Sequence, residues 1–487
     1  MAVKPSKHIT ISKSKFLIGL SCPRYLWYVF NAPDKLPPFD EATLALFDQG
    51  HEVGEYSKKL YPDGIEIPRD YDSVEKTKEL LKKRVPLFEA SFAYKNSYCK
   101  ADILVPVGKD EWDLYEVKST SSLKEEHIPD IAFQLYCIQG AGVKIRHTHL
   151  MHINNEYVRK GDIEPKKLFA IEDTTDAALT VAPTIEDLIN GMLKVIQSPK
   201  APEPELGTEC LDPGECPVCL NDLPKNNVTE LYCFGKKAYP LLNHGTVLIK
   251  DVPDSDLNEK QLIEKNTVVT KKPHIEPKPI KKFLEKLTYP LYLLDFETVN
   301  PAIPLFDNSS PYQQVPFQLS LHVLQKQDGK PEHYEFLADS PDDPRPEVVE
   351  ALRAIGPKGT VLAYNMSFER RVLEDLLEVF PKEKWLQSVI DRLEDLIVPF
   401  RSFSYYDPKQ QGSCSLKAVL PALTGKGYEH LEISQGDDAA RKFLETTYKN
   451  KKITKEDKVN MRRALLEYCK QDTEAMIDIL KVLEKVK

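Results

Sequence analysis

The chain has 487 residues, of which 41% are hydrophobic and 29% charged, and its formal net charge is −9. That length exceeds what one hydrophobic core usually serves and predicts two or more domains. The opening MAVKPSKHIT lacks the pattern of a signal peptide, and no apolar run approaches the ~18 residues of a membrane span, so a cytoplasmic protein with no membrane partner is expected.

In such a compartment the nine cysteines are expected as thiols or metal ligands rather than disulfides. The acidic balance does not advertise nucleic-acid binding, but metal sites gather carboxylates, and local basic strips can still serve phosphates. Two strips are present, KTKELLKKR at 76–84 and the lysines from Lys271 to Lys286. A solvated helix face and a charged connection are the plainer readings of each.

In chain order, Ser91–Val105 and WDLYEVKS read as two strands separated by a turn at Gly108–Glu111. A helix follows from about Pro129 to Ala141, then the strand THLMHIN. Residues 251–282 are polar and rich in Lys and Pro; they read as an extended connection with one short helix at Glu259–Lys265. The apolar run YPLYLLDFETV then opens a second domain. Its strand signals (YLLDFE, FQLSLHVL, TVLAY) alternate with helical patterns at 344–354, 367–379 and 457–485. The expected organisation is a first domain over 1–250, a linker over 251–282 and a second domain over 283–487, both α/β with mixed sheets.

Asp102 falls in the first of these strands, and Glu116 and Lys118, two residues apart, share one face of the next. Phosphodiester hydrolysis needs carboxylates to hold Mg²⁺ or Mn²⁺ and a lysine to orient water or neutralise developing charge. Gln134 lies just downstream on the predicted helix. In the second half, Asp295 and Glu297 share a face of an otherwise apolar strand, where two acids are costly unless a cation or partner satisfies them. AYNMSFERRVL carries Asn365 and Glu369, and a late helix carries Tyr468 and Asp472 at i, i+4 on one face. Asp391, in SVIDRLEDL, is a further acid in reach of the same region.

The D…E-x-K pattern with its Gln-bearing helix resembles the RecB-like PD-(D/E)xK nucleases, including their CRISPR-associated exonuclease branch. That resemblance implies a restriction-endonuclease-like fold with Asp102 and Glu116 as metal ligands, Lys118 and Gln134 in the catalytic set, and a tyrosine near Tyr136. It also implies an upstream His or Glu completing the metal site, here His51 or Glu52. One cysteine before this core, Cys22, and three after it, Cys210, Cys216 and Cys219, resemble the iron–sulfur subset, in which a [4Fe–4S] cluster staples the ends of the domain. Four thiolates equally suit a structural Zn²⁺. The spacing departs from that subset, because Lys225 stands where its last ligand falls, and Cys233 is a substitute.

Acid-x-acid on a first strand, an acid after Asn-x-x-Phe and Tyr-x-x-x-Asp on a late helix resemble the DEDDy exonucleases of the RNase H-like (DnaQ-like) fold. This resemblance implies Asp295, Glu297, Glu369 and Asp472 as ligands of two metal ions, with Tyr468 positioning the attacking water. Glu369 departs from the Asp found there. The whole chain resembles bacterial proteins that join these two halves, through stretches such as LDFETVNPAIPLFDNSSPYQQVPFQLSLH. Within that stretch Tyr312 and Phe317 are base-stacking candidates, or core aromatics. The expectation is a metal-dependent nuclease acting on DNA, exonucleolytically, in repair or defence. The alternatives are a 3′→5′ RNA exonuclease and a nucleic-acid-binding scaffold with one degenerate half.

Overall fold

The computed structural model describes residues 9–207, 210, 216–220, 223–433, 435–449 and 453–486. The chain forms two compact units, the first made of Met1–Asp222 with Pro301–Tyr312 and the second of Leu223–Asn300 with Gln313–Lys487. Both are mixed α/β. Among the described residues no helix is long and apolar enough to cross a membrane.

The first unit is built on a seven-stranded mixed sheet. Its strands are β1 (Ile11–Ser12), β2 (Ile65–Glu66), β3 (Leu87–Tyr94), β4 (Ser97–Val107), β5 (Glu111–Lys118), β6 (Lys144–Ile153) and β7 (Phe169–Asp173). β3, β4 and β5 form an antiparallel meander, and β6 lies parallel to β5 through a crossover containing helix α5 (His127–Gly140). Helices α1 (Lys13–Ser21) and α2 (Pro23–Asn31) meet at Cys22, which ends the first and caps the start of the second. Phe16 of α1 stacks on Phe133 of α5 with ring centroids 4.6 Å apart, inside a core that also holds Leu26, Trp112 and Leu114. The basic strip at 76–84 lies mostly on a further helix, α4 (Ser73–Leu81), which follows α3 (Glu41–Lys58); Lys76 is paired with Asp70 and Asp72, and Lys78 with Glu75. Lys82 and Lys83, just past the end of α4, are exposed.

Residues 301–312 pack within the first unit. Ala302 and Ile303 join Val53, Ile103 and Met151 in one buried cluster, and the Arg159 guanidinium donates to Pro304 O at 2.9 Å and to Leu305 O.

The second unit begins at Leu223, so residues 223–250 lie outside the first unit rather than closing it. The stretch expected as a linker is largely ordered into helix α6 (Glu259–Thr270), strand β8 (His274–Ile275) and helix α7 (Pro277–Leu284). A capping box between Asn258 and Gln261 starts α6. The buried face of α6 is Gln261, Glu264 and Thr267, so its helical period carries no hydrophobic signal.

The main sheet of this unit has five strands in the order β11–β10–β9–β12–β13, these being β9 (Leu291–Val299), β10 (Val315–Leu324), β11 (Glu332–Leu337), β12 (Thr360–Ala363) and β13 (Leu393–Asp395). β9, β10 and β11 are antiparallel neighbours, whereas β12 runs parallel to both β9 and β13. The long helix α10 (Lys455–Leu483) packs across β9 and β10, where Gln318 Nε2 donates to Leu465 O at 2.8 Å and Ser320 Oγ lies 2.7 Å from Thr473 Oγ1. Helices α8 (Ser367–Val379) and α9 (Leu416–Thr424) supply the remaining walls of the site described below.

Candidate functional sites

In the first unit, Glu116 is 1% exposed and sits at the centre of a charged cluster. Lys13 Nζ donates to both of its oxygens at 2.8 and 3.0 Å, Lys118 Nζ lies 2.7 Å from Oε1, and Gln134 Nε2 donates to Oε2 at 2.6 Å. Asp130, also 1% exposed, accepts from Lys118 at 2.6 Å and from Gln134 at 3.2 Å. Asp102 is half-buried and accepts from the Val117 amide at 2.8 Å. Burial and then the Glu116 charge push its carboxyl up to about 7. Burial opposes ionisation of Glu116 as well, but Lys118 and Lys13 override it and hold that carboxyl below the ordinary range.

The predicted Asp102, Glu116, Lys118 and Gln134 therefore come together. Lys13 and Asp130 join them without having been expected. Asp130 had a signal, since it pairs with Gln134 at i, i+4 on an otherwise apolar helix; Lys13, 103 residues from Glu116 in sequence, had none. His51 is exposed on α3 and Glu52 beside it half-buried; among the described residues neither forms a compact three-ligand group with the acids. Tyr136 packs edge-on against Tyr94 at 5.3 Å, away from Glu116 in its bonding.

The segments that carry Cys22 and Cys210–Cys219 are tied together as well. α2 is tied to the segment after 195 by Asn31 to Ile196 O, Trp27 to Ser198 O and Arg24 to Pro202 O, at 2.6–3.0 Å. This draws the two ends of the unit together. The Cys216 amide donates to Cys210 O at 2.7 Å, and Cys22 and Cys219 are near enough to Cys216 to perturb its thiol. The neighbouring Cys22 is the main reason the Cys216 thiol drops to about 5, and burial is the main reason Cys219 rises to about 11. All four are free thiols, but among the described residues no three of them bring their sulfurs within 4.8 Å of one another, so the iron–sulfur cluster or zinc ion of the resemblance stays a proposal. Cys233 is exposed and belongs to the second unit.

In the second unit Asp295 and Glu297 project from β9, Glu369 from the first turn of α8, and Asp472 from α10. Glu297, Glu369 and Asp472 are 8%, 2% and 7% exposed, a degree of burial that carboxylates rarely tolerate unpaired. Burial, then mutual repulsion led by Asp472, pushes Asp295 well above the carboxylate range and Glu297 up to about 8. Burial is the main cause of the rise of Glu369 to about 8 and of Asp472 to about 6. Glu369 Oε2 is buried with no hydrogen-bond partner. Acids that repel one another, with an oxygen left unsatisfied, fit a site for divalent cations. Glu369, one methylene longer than the Asp of the resemblance, is inside this group.

The rest of the site was not expected. Tyr428 donates to Asp472 Oδ1, Lys417 of α9 donates to Tyr468 Oη at 3.0 Å, and Cys469 donates to Asp295 Oδ2 at 3.4 Å. Asp295, Glu297 and Cys469 offer ligand atoms within 4.8 Å of one another. Asp391 is exposed and bonded to Gln387; the acid that enters is Asp395, four residues on, which accepts from the Asn365 amide at 2.8 Å and adds to the rise of Glu369. A cleft of about 540 Å³ opens on Asp295 and Asp472, with Arg401, Lys417, Tyr364 and Asn365 in its walls. Neither stacking candidate serves it. Phe317 is fully buried against Phe443, 4.0 Å between ring centroids, and Tyr312 lies in the first unit, donating to Ser119 O.

Residues 292–415, which carry Asp295, Glu297 and Glu369, match a family described as a domain of unknown function (DUF2779). The chain is also similar to Uncharacterized protein MG366 homolog of Mycoplasma pneumoniae, 25% identical over 219 residues (41% of this chain, 32% of that protein). It is 26% identical over 225 residues to Uncharacterized protein MG366 of Mycoplasma genitalium (41% of this chain, 33% of that protein). The matched part spans about a third of the length of these relatives.

Proposed function

We propose that the protein is a metal-dependent nuclease hydrolysing phosphodiester bonds of DNA from an end, in repair or in defence against foreign DNA. In this reading the first unit is a RecB-like PD-(D/E)xK nuclease with a four-cysteine metal centre, and the second is a DEDDy exonuclease of RNase H-like fold. The observation that carries it is the mutual repulsion of half-buried Asp295 with buried Glu297, Glu369 and Asp472, two of which, Asp295 and Asp472, line a cleft that also holds Arg401 and Lys417.

Bound there, Mg²⁺ or Mn²⁺ would polarise the phosphate and lower the pKa of the attacking water. Around that chemistry, Lys417 orients the Tyr468 hydroxyl, which accepts its hydrogen bond and keeps its own proton to position water. Tyr428 fixes the rotamer of Asp472, and Arg401, held by Asn365 Oδ1 at 2.9 Å, faces the cleft as a phosphate contact. In the first unit Glu116 and Asp102 serve as ligands, and Lys118 lies beside them to orient water.

Digestion of end-labelled single- and double-stranded DNA and RNA with Mn²⁺ or Mg²⁺ tests the reading. Trimming of DNA that is lost in Asp295→Asn/Asp472→Asn or in Lys118→Ala is the expected result. Trimming of RNA alone moves the assignment to a 3′→5′ RNA exonuclease. No cleavage of any substrate leaves a binding scaffold.

A further inference from the structure

We infer that Lys13 is a resident counter-cation of the first unit's acid site, filling between Glu116 and Asp130 the place that a divalent cation takes on binding. This rests on the reading of Asp102 and Glu116 as metal ligands.

Three carboxylates, Asp102, Glu116 and Asp130, face two ammonium groups, Lys13 and Lys118. Lys13 spans both oxygens of Glu116 and lies 3.7 Å from Asp130, so the carboxylate that would hold a metal is already occupied on both oxygens. Asp102 has no such ion pair among the described residues. A dication entering beside Lys13 would over-neutralise the site, whereas one that displaces it leaves the charges nearly balanced.

The register of α1 on α5 explains how the lysine gets there. Phe16 stacks on Phe133, and one turn earlier on each helix stand Lys13 and Asp130. At its other end α1 stops at Cys22. The side chain is nonetheless 24% exposed, so it can swing to water when displaced. Gln134, fully buried, turns its amide nitrogen to Glu116 and Asp130 and leaves Oε1 with no partner, a further acceptor at the edge of the site.

Mn²⁺ binding to the full chain, read by loss of the free-ion EPR signal, isolates this site when Asp295→Asn/Asp472→Asn is the background. Adding Lys13→Gln should tighten Mn²⁺ binding on the order of tenfold or more, since a competing charge is removed. Lys13→Arg, which keeps the charge, should stay near the background value. In the wild-type protein Mn²⁺ should raise acetylation of Lys13, measured by mass spectrometry, severalfold, a readout independent of whether the variants fold. Binding that depends on Glu116 (lost in Glu116→Gln) but is unchanged or weakened by Lys13→Gln overturns the counter-cation and spares the metal site. Binding that ignores Glu116 overturns both. Lys13 acetylation unaffected by Mn²⁺ overturns the displacement.

Discussion

An acid kept for a metal should destabilise the protein when the metal is absent, and Glu297 gives the sharpest case. It is 8% exposed, and burial, then Asp472, raises its carboxyl from 4.5 to about 8. For a carboxyl whose folded value lies above the unfolded one, stability is complete below the unfolded value, falls as pH rises between the two, and is fully lost above the folded value. The interval of 3.5 pH units corresponds to about 5 kcal/mol for the ionised group. Because Asp295, Asp472 and Glu369 share the repulsion, removing one charge should recover a part of that, roughly 3 kcal/mol. Glu297→Gln should therefore raise the urea midpoint of the second unit in EDTA at pH 8.5 and change it little at pH 5. Saturating Mn²⁺ should reverse the order at pH 8.5, stabilising the wild type and leaving the variant almost unmoved. A variant equally destabilised at both pH values in EDTA would refute the reasoning, because Glu297 would then be a satisfied structural acid.

Protein purified without oxygen should contain iron and inorganic sulfide, and Cys22→Ser or Cys216→Ser should lose them and lower the melting temperature of the first unit by about 5 °C or more. Stoichiometric zinc without sulfide would replace the cluster by an ion, and a metal-free protein would remove the centre altogether. Tyr468→Phe should slow trimming on the order of tenfold or more while leaving Mn²⁺ affinity unchanged, because its hydroxyl is bonded to Lys417 and, among the described residues, to no carboxylate. Equal loss of Mn²⁺ affinity would show that Tyr468 supports the ligands instead.

Much of both sites was legible because chemistry-bearing residues broke a strong local pattern. β9 is buried at every position but Asp295, which is half-buried, so two acids in LYLLDFETV could not be mistaken for a solvated face. Tyr468 and Asp472 share a helix face by spacing alone. What escaped was of two kinds. Helix α6 buries Gln261, Glu264 and Thr267, so a segment that packs on polar side chains looked like a linker. Lys13, Tyr428 and Lys417 reach their partners across 103, 44 and 51 residues, and no local signal marks a residue whose role is set by a distant strand. The placement of Tyr312 failed for a third reason. It is three residues from β10, yet the chain enters the first unit at Pro301 and leaves it only after Tyr312.

The two acid sites solve the same electrostatic problem by different means. In the first unit lysines neutralise the cluster, and Glu116 stays ionised in spite of its burial because Lys118 and Lys13 stand at 2.7 and 2.8 Å. In the second unit no cation makes an ion pair with Asp295, Glu297, Glu369 or Asp472 among the described residues; Lys417 bonds Tyr468 instead, and the carboxyls are held toward their protonated forms. A resident ammonium must be displaced by an incoming metal, whereas a proton is simply released, so metal loading competes with a side chain in one site and with pH in the other. Metal loading of the second unit is for that reason the more acid-sensitive of the two, although the metal-free unit itself loses stability as pH rises. Asp472, Glu297 and Glu369, at about 6 to 8, and Asp295, raised well above the ordinary range, would have to ionise before they could hold an ion.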